Sequence, residues 1–178
     1  PENNSHPILS GVSLKLAKGE KIGIVGDNGA GKSTISKLIL GIHTPDVGTI
    51  SINGNPVSWN HHYPFIAYVG DPGYSTGQMG LPFDMTVSQL IEIQKYLLDT
   101  KKIKHHTTEV AIRLGLDELM EQKTIKLSTG QRKRLMLTLA LGKPNDLIIL
   151  DEPFDGLDKD IRKEVELLLK DKCQEHTA

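Results

Sequence analysis

The apolar positions of this chain change their spacing several times along its length. They alternate with polar positions in the first part of the chain, as in a half-buried strand, and later form short continuous runs, as in buried strands. Asn53-Gly54 favours a tight hairpin turn directly after one of these segments. The predicted strands cover residues 12–16, 21–25, 48–52, 66–69 and 147–150.

Other segments repeat their apolar positions every three to four residues, which is typical of amphipathic helices. The predicted helices cover residues 33–41, 86–98, 107–116, 131–141 and about 160–173. Three of these helices fall between the last two predicted strands. The order of elements therefore predicts an α/β fold with a mostly parallel sheet, N-terminal antiparallel β strands and an inserted helical subdomain at about residues 82–143.

Composition narrows the classes of protein that fit this pattern. The 178 residues are enough for one domain with a sizeable core, and we predict a single domain over residues 1–178. The net charge of −1 gives no global basic field, so no nucleic-acid partner is expected. One cysteine excludes an internal disulfide. No window approaches the roughly 18 apolar residues of a membrane span, so any membrane role is predicted to be peripheral.

A glycine-rich loop joins the second predicted strand to the first predicted helix. Its glycines let backbone N–H groups turn inward, and the helix N-terminus adds positive potential at the same place. Lys32 can reach the β and γ phosphates of a nucleotide, and the Ser33 hydroxyl can ligate Mg²⁺. The predicted nucleotide-binding residues are Gly26, Asp27, Asn28, Gly29, Ala30, Gly31, Lys32, Ser33 and Thr34.

Two adjacent carboxylates, Asp151 and Glu152, follow the apolar run at residues 147–150. Ligands of open α/β sheets bind at the carboxyl ends of strands, which is where these acids would lie. We predict that Asp151 holds Mg²⁺ through water and that Glu152 is the general base for an attacking water. A solvated acidic turn after a strand would explain the pair equally well if the glycine-rich loop were absent.

The string Leu127-Ser128-Thr129-Gly130-Gln131 resembles the signature motif of the ABC-transporter ATPase family, with Thr129 where glycine is commoner. Alone, the string is explained as well by Ser128 capping a helix that begins near Gly130. Its distances from the glycine-rich loop and from Asp151 match the family, however. Further resemblances are Gly156-Leu157-Asp158 to the D-loop, residues 9–14 with Gly19-Glu20 to the family's opening, and Thr86-Val87 with Leu90 to the start of its helical subdomain.

This resemblance implies a P-loop NTPase core that binds ATP with Mg²⁺ and hydrolyses it. Two such domains would pack head to tail, so that Ser128, Gly130 and Gln131 of one chain meet the ATP held by Lys32 of the other. Closure would depend on the γ-phosphate, and hydrolysis would release it. The implied role is the ATP-hydrolysing subunit of a transporter, bound peripherally to a transmembrane permease subunit at the cytoplasmic face of the membrane.

The sequence departs from the family pattern at three places. Asp71 stands where a glutamine is usual, and we predict it as a further ligand of Mg²⁺ or the attacking water. The aromatic residue that stacks on adenine and the histidine that contacts the γ-phosphate have no match here, whereas His6 and His176 are interpreted as surface residues. The expectation is therefore a domain truncated at both ends that binds ATP and turns it over slowly.

Two other functions remain open from the sequence. A soluble ABC-type ATPase would act outside transport, but the long insertions and charge clusters typical of such proteins are not visible. A regulatory module would sense ATP without hydrolysing it, which Asp71 favours and Glu152 opposes. The basic run Arg132-Lys133-Arg134 would either attract phosphate or form an ordinary polar helix face.

Overall fold

A computed structural model describes residues 8–57, 65–70, 81–82 and 84–174. The chain divides into two compact units, residues 1–64 and residues 65–176, which are described separately below. Within the described ranges, no helix combines the length and apolar character that crossing a bilayer requires.

The unit of residues 1–64 contains one helix and one hairpin in its described part. Helix α1 spans Lys32–Ile39. Strands β1 (Ser51–Ile52) and β2 (Asn55–Pro56) pair antiparallel, with Ile52 opposite Asn55. Both turn residues, Asn53 and Gly54, have positive φ (50° and 79°), as a two-residue hairpin turn of the favoured twist requires. The predicted hairpin turn is therefore confirmed.

Two predicted strands of this unit do not form. Residues 12–16 and 21–25 have no strand pairing in the described part of the chain, although their apolar side chains are regularly spaced. Those side chains are exposed, and Val25 reaches 93% exposure where the sequence predicted a buried position. The prediction was wrong because an apolar pattern supplies only one requirement of a strand. A strand also needs a hydrogen-bonded neighbour and a surface to pack on.

The unit of residues 65–176 alternates strand, helices, strand and helix. Strand β3 covers Ile66–Val69 and strand β4 covers Leu147–Leu150, which confirms both predicted segments. Among the described residues, three helices lie between these strands in the chain, and a fourth follows β4. Two short 3₁₀ turns, Asp117–Leu119 and Thr124–Lys126, precede the third helix. The helices are α2 (Val87–Thr100), α3 (Thr107–Arg113), α4 (Thr129–Leu141) and α5 (Lys159–Gln174).

Strands β3 and β4 pair in parallel, from Ile66 opposite Leu147 to Val69 opposite Leu150. The Asp151 N–H extends the ladder by donating to the Val69 carbonyl at 2.8 Å. The four residues of β4 are half-buried, so the sequence prediction of a strand buried on both faces was too strong. The parallel register fixes Asp151 at the carboxyl edge of the pair, as predicted from the apolar run.

The described residues of this unit form two apolar clusters, and helices α3 and α4 contribute to both of them. One cluster joins β3, α3, α4 and α5, and its buried members are Ala67, Val69, Val110, Leu114, Leu137, Ala140, Leu141, Leu157, Val165 and Leu168. The other joins α2 to α3 and α4, through Val87, Leu90, Ile91, Ala111, Leu116, Leu127 and Leu135. Helix α4 is therefore packed against both clusters through its buried residues between Leu135 and Leu141.

Candidate functional site

The glycine-rich loop forms a tight turn that leads directly into α1. Gly29 and Gly31 both have left-handed backbone conformations, with φ of 85° and 90°. Gly31 is the residue before α1, and a Cβ atom there would lie 2.8 Å from Leu9 Cδ2. A non-glycine residue at position 31 would therefore be strained in its backbone and crowded by its neighbour.

Lys32 is the first residue of α1, and its side chain folds back over the loop. Its ammonium donates to the carbonyls of Gly26 at 2.7 Å and Asp27 at 2.8 Å. The ammonium is thus fixed beside the backbone that is predicted to enclose a phosphate chain. Ser33 and Thr34 follow in the same first turn, with Ser33 exposed. The remaining predicted loop residues, Asn28 and Ala30, are also exposed.

The predicted acid pair lies at the end of β4, in the other unit. Asp151 is half-buried, whereas Glu152 is exposed. Glu152 has a φ of 49°, which is unusual for a residue with a side chain, and Pro153 after it further disfavours that conformation. The Glu152 carbonyl accepts from the Asp155 N–H at 3.2 Å, closing a turn. The residues from Asp151 to Gly156 are called the acidic turn below.

The signature string forms the start of α4. Ser128 is the N-cap: its Oγ accepts from the Gln131 N–H at 3.2 Å, and Gln131 Oε1 accepts from the Ser128 N–H at 2.9 Å. This reciprocal capping box draws the start of the helix to Thr129, two residues before the predicted start. The capping role weighed for Ser128 in the sequence is therefore confirmed, while its contact with phosphate stays a prediction.

Replacing Ser128 by alanine removes this cap, and we expect the free energy of unfolding to fall by about 1 kcal/mol in urea denaturation. Helix α2 begins with an equivalent capping box, made by Thr86 and Gln89. Thr86→Ala is therefore the matched control, with a similar loss of stability at a helix that has no predicted phosphate contact. If Ser128→Ala left the free energy of unfolding unchanged, the cap would not be stabilising α4.

Ser128→Asp separates capping from phosphate contact. Aspartate is as good an N-cap as serine, so the stability of the variant should stay within about 0.5 kcal/mol of the original. Its negative charge would repel a triphosphate held by a second chain, so we expect the ATP-dependent dimer to be lost in sedimentation experiments. Dimers of undiminished stability in this variant would contradict the predicted contact.

The tip of α4 lies against the acidic turn. A Cβ atom on Gly130 would come within 2.5 Å of the Gly156 carbonyl oxygen, which is shorter than any tolerated contact. Gly130 therefore serves the packing of its own chain, whatever it contacts in a partner. A second contact joins α4 to the residues that follow the acidic turn, since Arg134 Nη2 lies 3.5 Å from the Asp158 carboxylate. The structure thus brings the signature string and the D-loop-like string together within one unit.

The sequence prediction did not find the contact that Lys133 makes. Its side chain is 2% exposed, and its Nζ donates to the Glu152 carbonyl at 2.7 Å. Of the two alternatives for residues 132–134, the ordinary polar helix face does not describe Lys133, which is buried. Helical periodicity contained the signal, because position 133 precedes the buried Leu137 by four residues and Leu141 by eight.

The predicted site residues are thus found in two groups. Residues 26–34 lie in the unit of residues 1–64, and Ser128, Gly130, Gln131, Asp151 and Glu152 lie in the unit of residues 65–176. Asp71 is outside the described residues, so its predicted metal contact stays a prediction. Within the second unit, α4 and the acidic turn are in direct contact, through Gly130 with Gly156 and Lys133 with Glu152.

Several known proteins are similar to this chain in sequence. The taurine import ATP-binding protein TauB of Pseudomonas aeruginosa (strain UCBPP-PA14) is 34% identical over 173 residues, covering 92% of this chain and 60% of that protein. The Nod factor export ATP-binding protein I of Rhizobium meliloti (strain 1021) is 33% identical over 156 residues, covering 88% of this chain and 46% of that protein. The chain thus spans about half the length of these relatives.

A solved structure of an ATP binding subunit of an ABC transporter superposes with a TM-score of 0.80 at 23% identity, covering 94% of this chain and 69% of that one. At this identity the likeness shows the fold alone, and it agrees with the P-loop NTPase core expected from the sequence. A family model described as ABC transporter matches residues 9–155, most of the chain and every described motif up to the acidic turn. The chain therefore belongs to the ABC transporter family.

Proposed function

We propose that this chain is the ATP-binding and ATP-hydrolysing part of a transporter, and that it powers transport through a partner membrane subunit. The observation that carries the proposal is the contact between the signature tip at Gly130 and the acidic turn at Gly156. Through this contact, the tip that senses the partner's nucleotide is joined to the turn that carries the chain's own candidate general base. Family membership and relatives named for import and for export support the same role.

Each group of residues has a distinct task in this proposal. The loop at residues 26–34 binds the phosphates of ATP through backbone N–H groups and the Lys32 ammonium. Glu152 accepts a proton from the attacking water as general base. Ser128, Gly130 and Gln131 bind the γ-phosphate of the ATP held by a second chain, at the N-terminus of α4. Each chain is thus incomplete alone, because its own tip serves the nucleotide of its partner.

The donor groups of the chain suit Mg²⁺. Ser33 offers a hydroxyl, and Asp151 and Asp71 offer carboxylates, which are the hard oxygen ligands that this ion prefers. When bound, Mg²⁺ neutralises charge on the phosphate oxygens. The half-buried position of Asp151 at the end of β4, fixed by its N–H bond to Val69, keeps one of these carboxylates at the sheet edge.

The proposed assembly is a head-to-tail dimer of ATP-binding domains on the cytoplasmic side of a transmembrane permease subunit. Its ATP dependence follows from the site, since the γ-phosphate is the group that the two chains share. Loss of that phosphate removes the contact, so hydrolysis would open the dimer and move the permease.

A three-part experiment tests this proposal. The protein containing this chain is titrated with ATP and Mg²⁺, assayed for phosphate release, and purified by affinity from its native membranes. We expect ATP binding, phosphate release and co-purification of a polytopic membrane protein. Binding without release would favour the ATP-sensing module, and release without a membrane partner would favour the soluble ATPase. Absence of ATP binding would overturn the proposal altogether.

A further inference from the structure

We propose that Lys133 is a positioning residue for ATP hydrolysis, which holds the main chain of Glu152 so that its carboxylate keeps the orientation a general base needs. The inference rests on the proposed function, because it concerns the step in which Glu152 takes a proton. Lys133 lies in α4 and Glu152 in the acidic turn, so the contact joins the signature helix to the predicted base.

The first support is the burial of a lysine at the contact. Lys133 is 2% exposed, and its Nζ lies 2.7 Å from the Glu152 carbonyl oxygen. Removing an ammonium group from water is costly, and an apolar side chain of similar length would fill the same space without that cost. A buried lysine at this place therefore indicates a task beyond filling the core.

The second support is the conformation of Glu152. Its φ of 49° is disfavoured both by its side chain and by Pro153, so surrounding contacts must hold it. The carbonyl of the same residue accepts from the Lys133 ammonium and from the Asp155 N–H at 3.2 Å. These two bonds restrain the Glu152 peptide, and with it the direction in which the side chain leaves the backbone.

The third support is the different surroundings of the main chain and the side chain of Glu152. Its main chain is anchored to a buried group, whereas its side chain is exposed and accessible to a reacting water. Lys133 thus contacts the main chain rather than the carboxylate, and the carboxylate remains able to accept a proton. In this arrangement, Lys133 acts on hydrolysis through Glu152.

Lys133→Met tests the inference, since it removes the donor and keeps an apolar side chain of similar length. We expect kcat for ATP hydrolysis to fall by about 10- to 100-fold, the cost of a slightly misplaced catalytic group. The Kd for ATP should change by less than about twofold, because the base contributes to the transition state and not to binding. Lys133→Arg keeps a charged donor and should recover part of the lost kcat.

Lys143→Met is the matched control. Lys143 is a partly buried lysine of the same unit. Its Nζ donates to the Ile66 carbonyl at 3.3 Å, and burial lowers its pKa. This contact lies at the start of β3, at the opposite end of the ladder from Asp151. We expect the control to alter thermal stability while leaving kcat per folded molecule unchanged.

A double substitution separates positioning from a general loss of structure. In single-turnover experiments on a Glu152→Gln background, Lys133→Met should cause almost no further loss, because the group that it positions is gone. If Lys133 and Glu152 acted independently, the losses in hydrolysis rate caused by the two substitutions would instead multiply. In hydrogen exchange, the Asp155 amide should exchange faster in Lys133→Met, because the Glu152 carbonyl that accepts its hydrogen bond is no longer held in place by the lysine.

The outcomes distinguish this inference from the proposed function. If the unmodified chain releases no phosphate from ATP, the proposed function itself fails. If it does, and Lys133→Met lowers thermal stability but hydrolyses ATP at an undiminished kcat, the positioning role is overturned and the proposed function stands. Multiplying losses in the double substitution would overturn the positioning role in the same way.

Discussion

Replacing Glu152 by glutamine is expected to reduce ATP hydrolysis by about 10²- to 10⁴-fold, the usual contribution of a general base. The amide has the size of the carboxylate but cannot take a proton from water. A φ of 49° is equally unfavourable for glutamate and for glutamine, so the substitution should retain the shape of the acidic turn. We expect ATP binding to persist and an ATP-bound dimer to accumulate in gel filtration with ATP and Mg²⁺.

Glu166→Gln provides the control for this substitution, because Glu166 is an exposed residue of α5 and loses the same charge. Its hydrolysis rate and its association in ATP should match the unmodified chain. Turnover that survives Glu152→Gln unchanged would contradict the base assignment and would favour a module that only senses ATP.

The second large effect is expected at Lys32. Removing its side chain with Lys32→Ala deletes the ammonium that bonds to Gly26 and Asp27 and that is proposed to meet the β and γ phosphates. Losing a hydrogen bond to a charged group costs about 1.5–3 kcal/mol, so the Kd for ATP should rise by about 10- to 100-fold. Equilibrium titration with a fluorescent ATP analogue measures this change.

Two controls separate phosphate binding from a general loss of charge or fold. Lys37→Ala removes the same charge from the last turn of the same helix, and its Kd for ATP should stay near that of the unmodified chain. AMP lacks the β and γ phosphates, so its affinity should be insensitive to Lys32→Ala. An equal loss of affinity for AMP and ATP would show that the variant had lost its fold rather than a phosphate contact.

The elements that depend on local sequence were predicted correctly. The hairpin follows from Asn53-Gly54, and helix α2 follows from the helical stripe predicted over residues 86–98. The start of α4 was placed two residues late because the prediction did not use the reciprocal bond between Ser128 and Gln131. Periodicity finds a helix, but its first residue is set by the cap.

The features that depend on distant residues were predicted less well. Residues 12–16 and 21–25 have strand-like patterns, yet pairing requires a partner that a pattern cannot specify. For the candidate site, the motifs predicted Lys32, Asp151 and Glu152 from sequence alone, and their functional roles stay predictions. The bond from Lys133 to the Glu152 carbonyl needed the fold, because it joins residues whose chemistry gives no sequence signal for their meeting.

The parallel ladder between β3 and β4 has a consequence for how the protein is made. Its partners are about eighty residues apart in the chain, so β3 leaves the ribosome long before β4 exists. During that interval the apolar segment Ile66–Val69 lacks its neighbour and is a candidate for chaperone binding or for pairing with another nascent chain. Slow codons between β3 and residue 147 would therefore increase aggregation more than an equal delay after residue 150. Truncation of the chain between β3 and residue 147 would also increase aggregation.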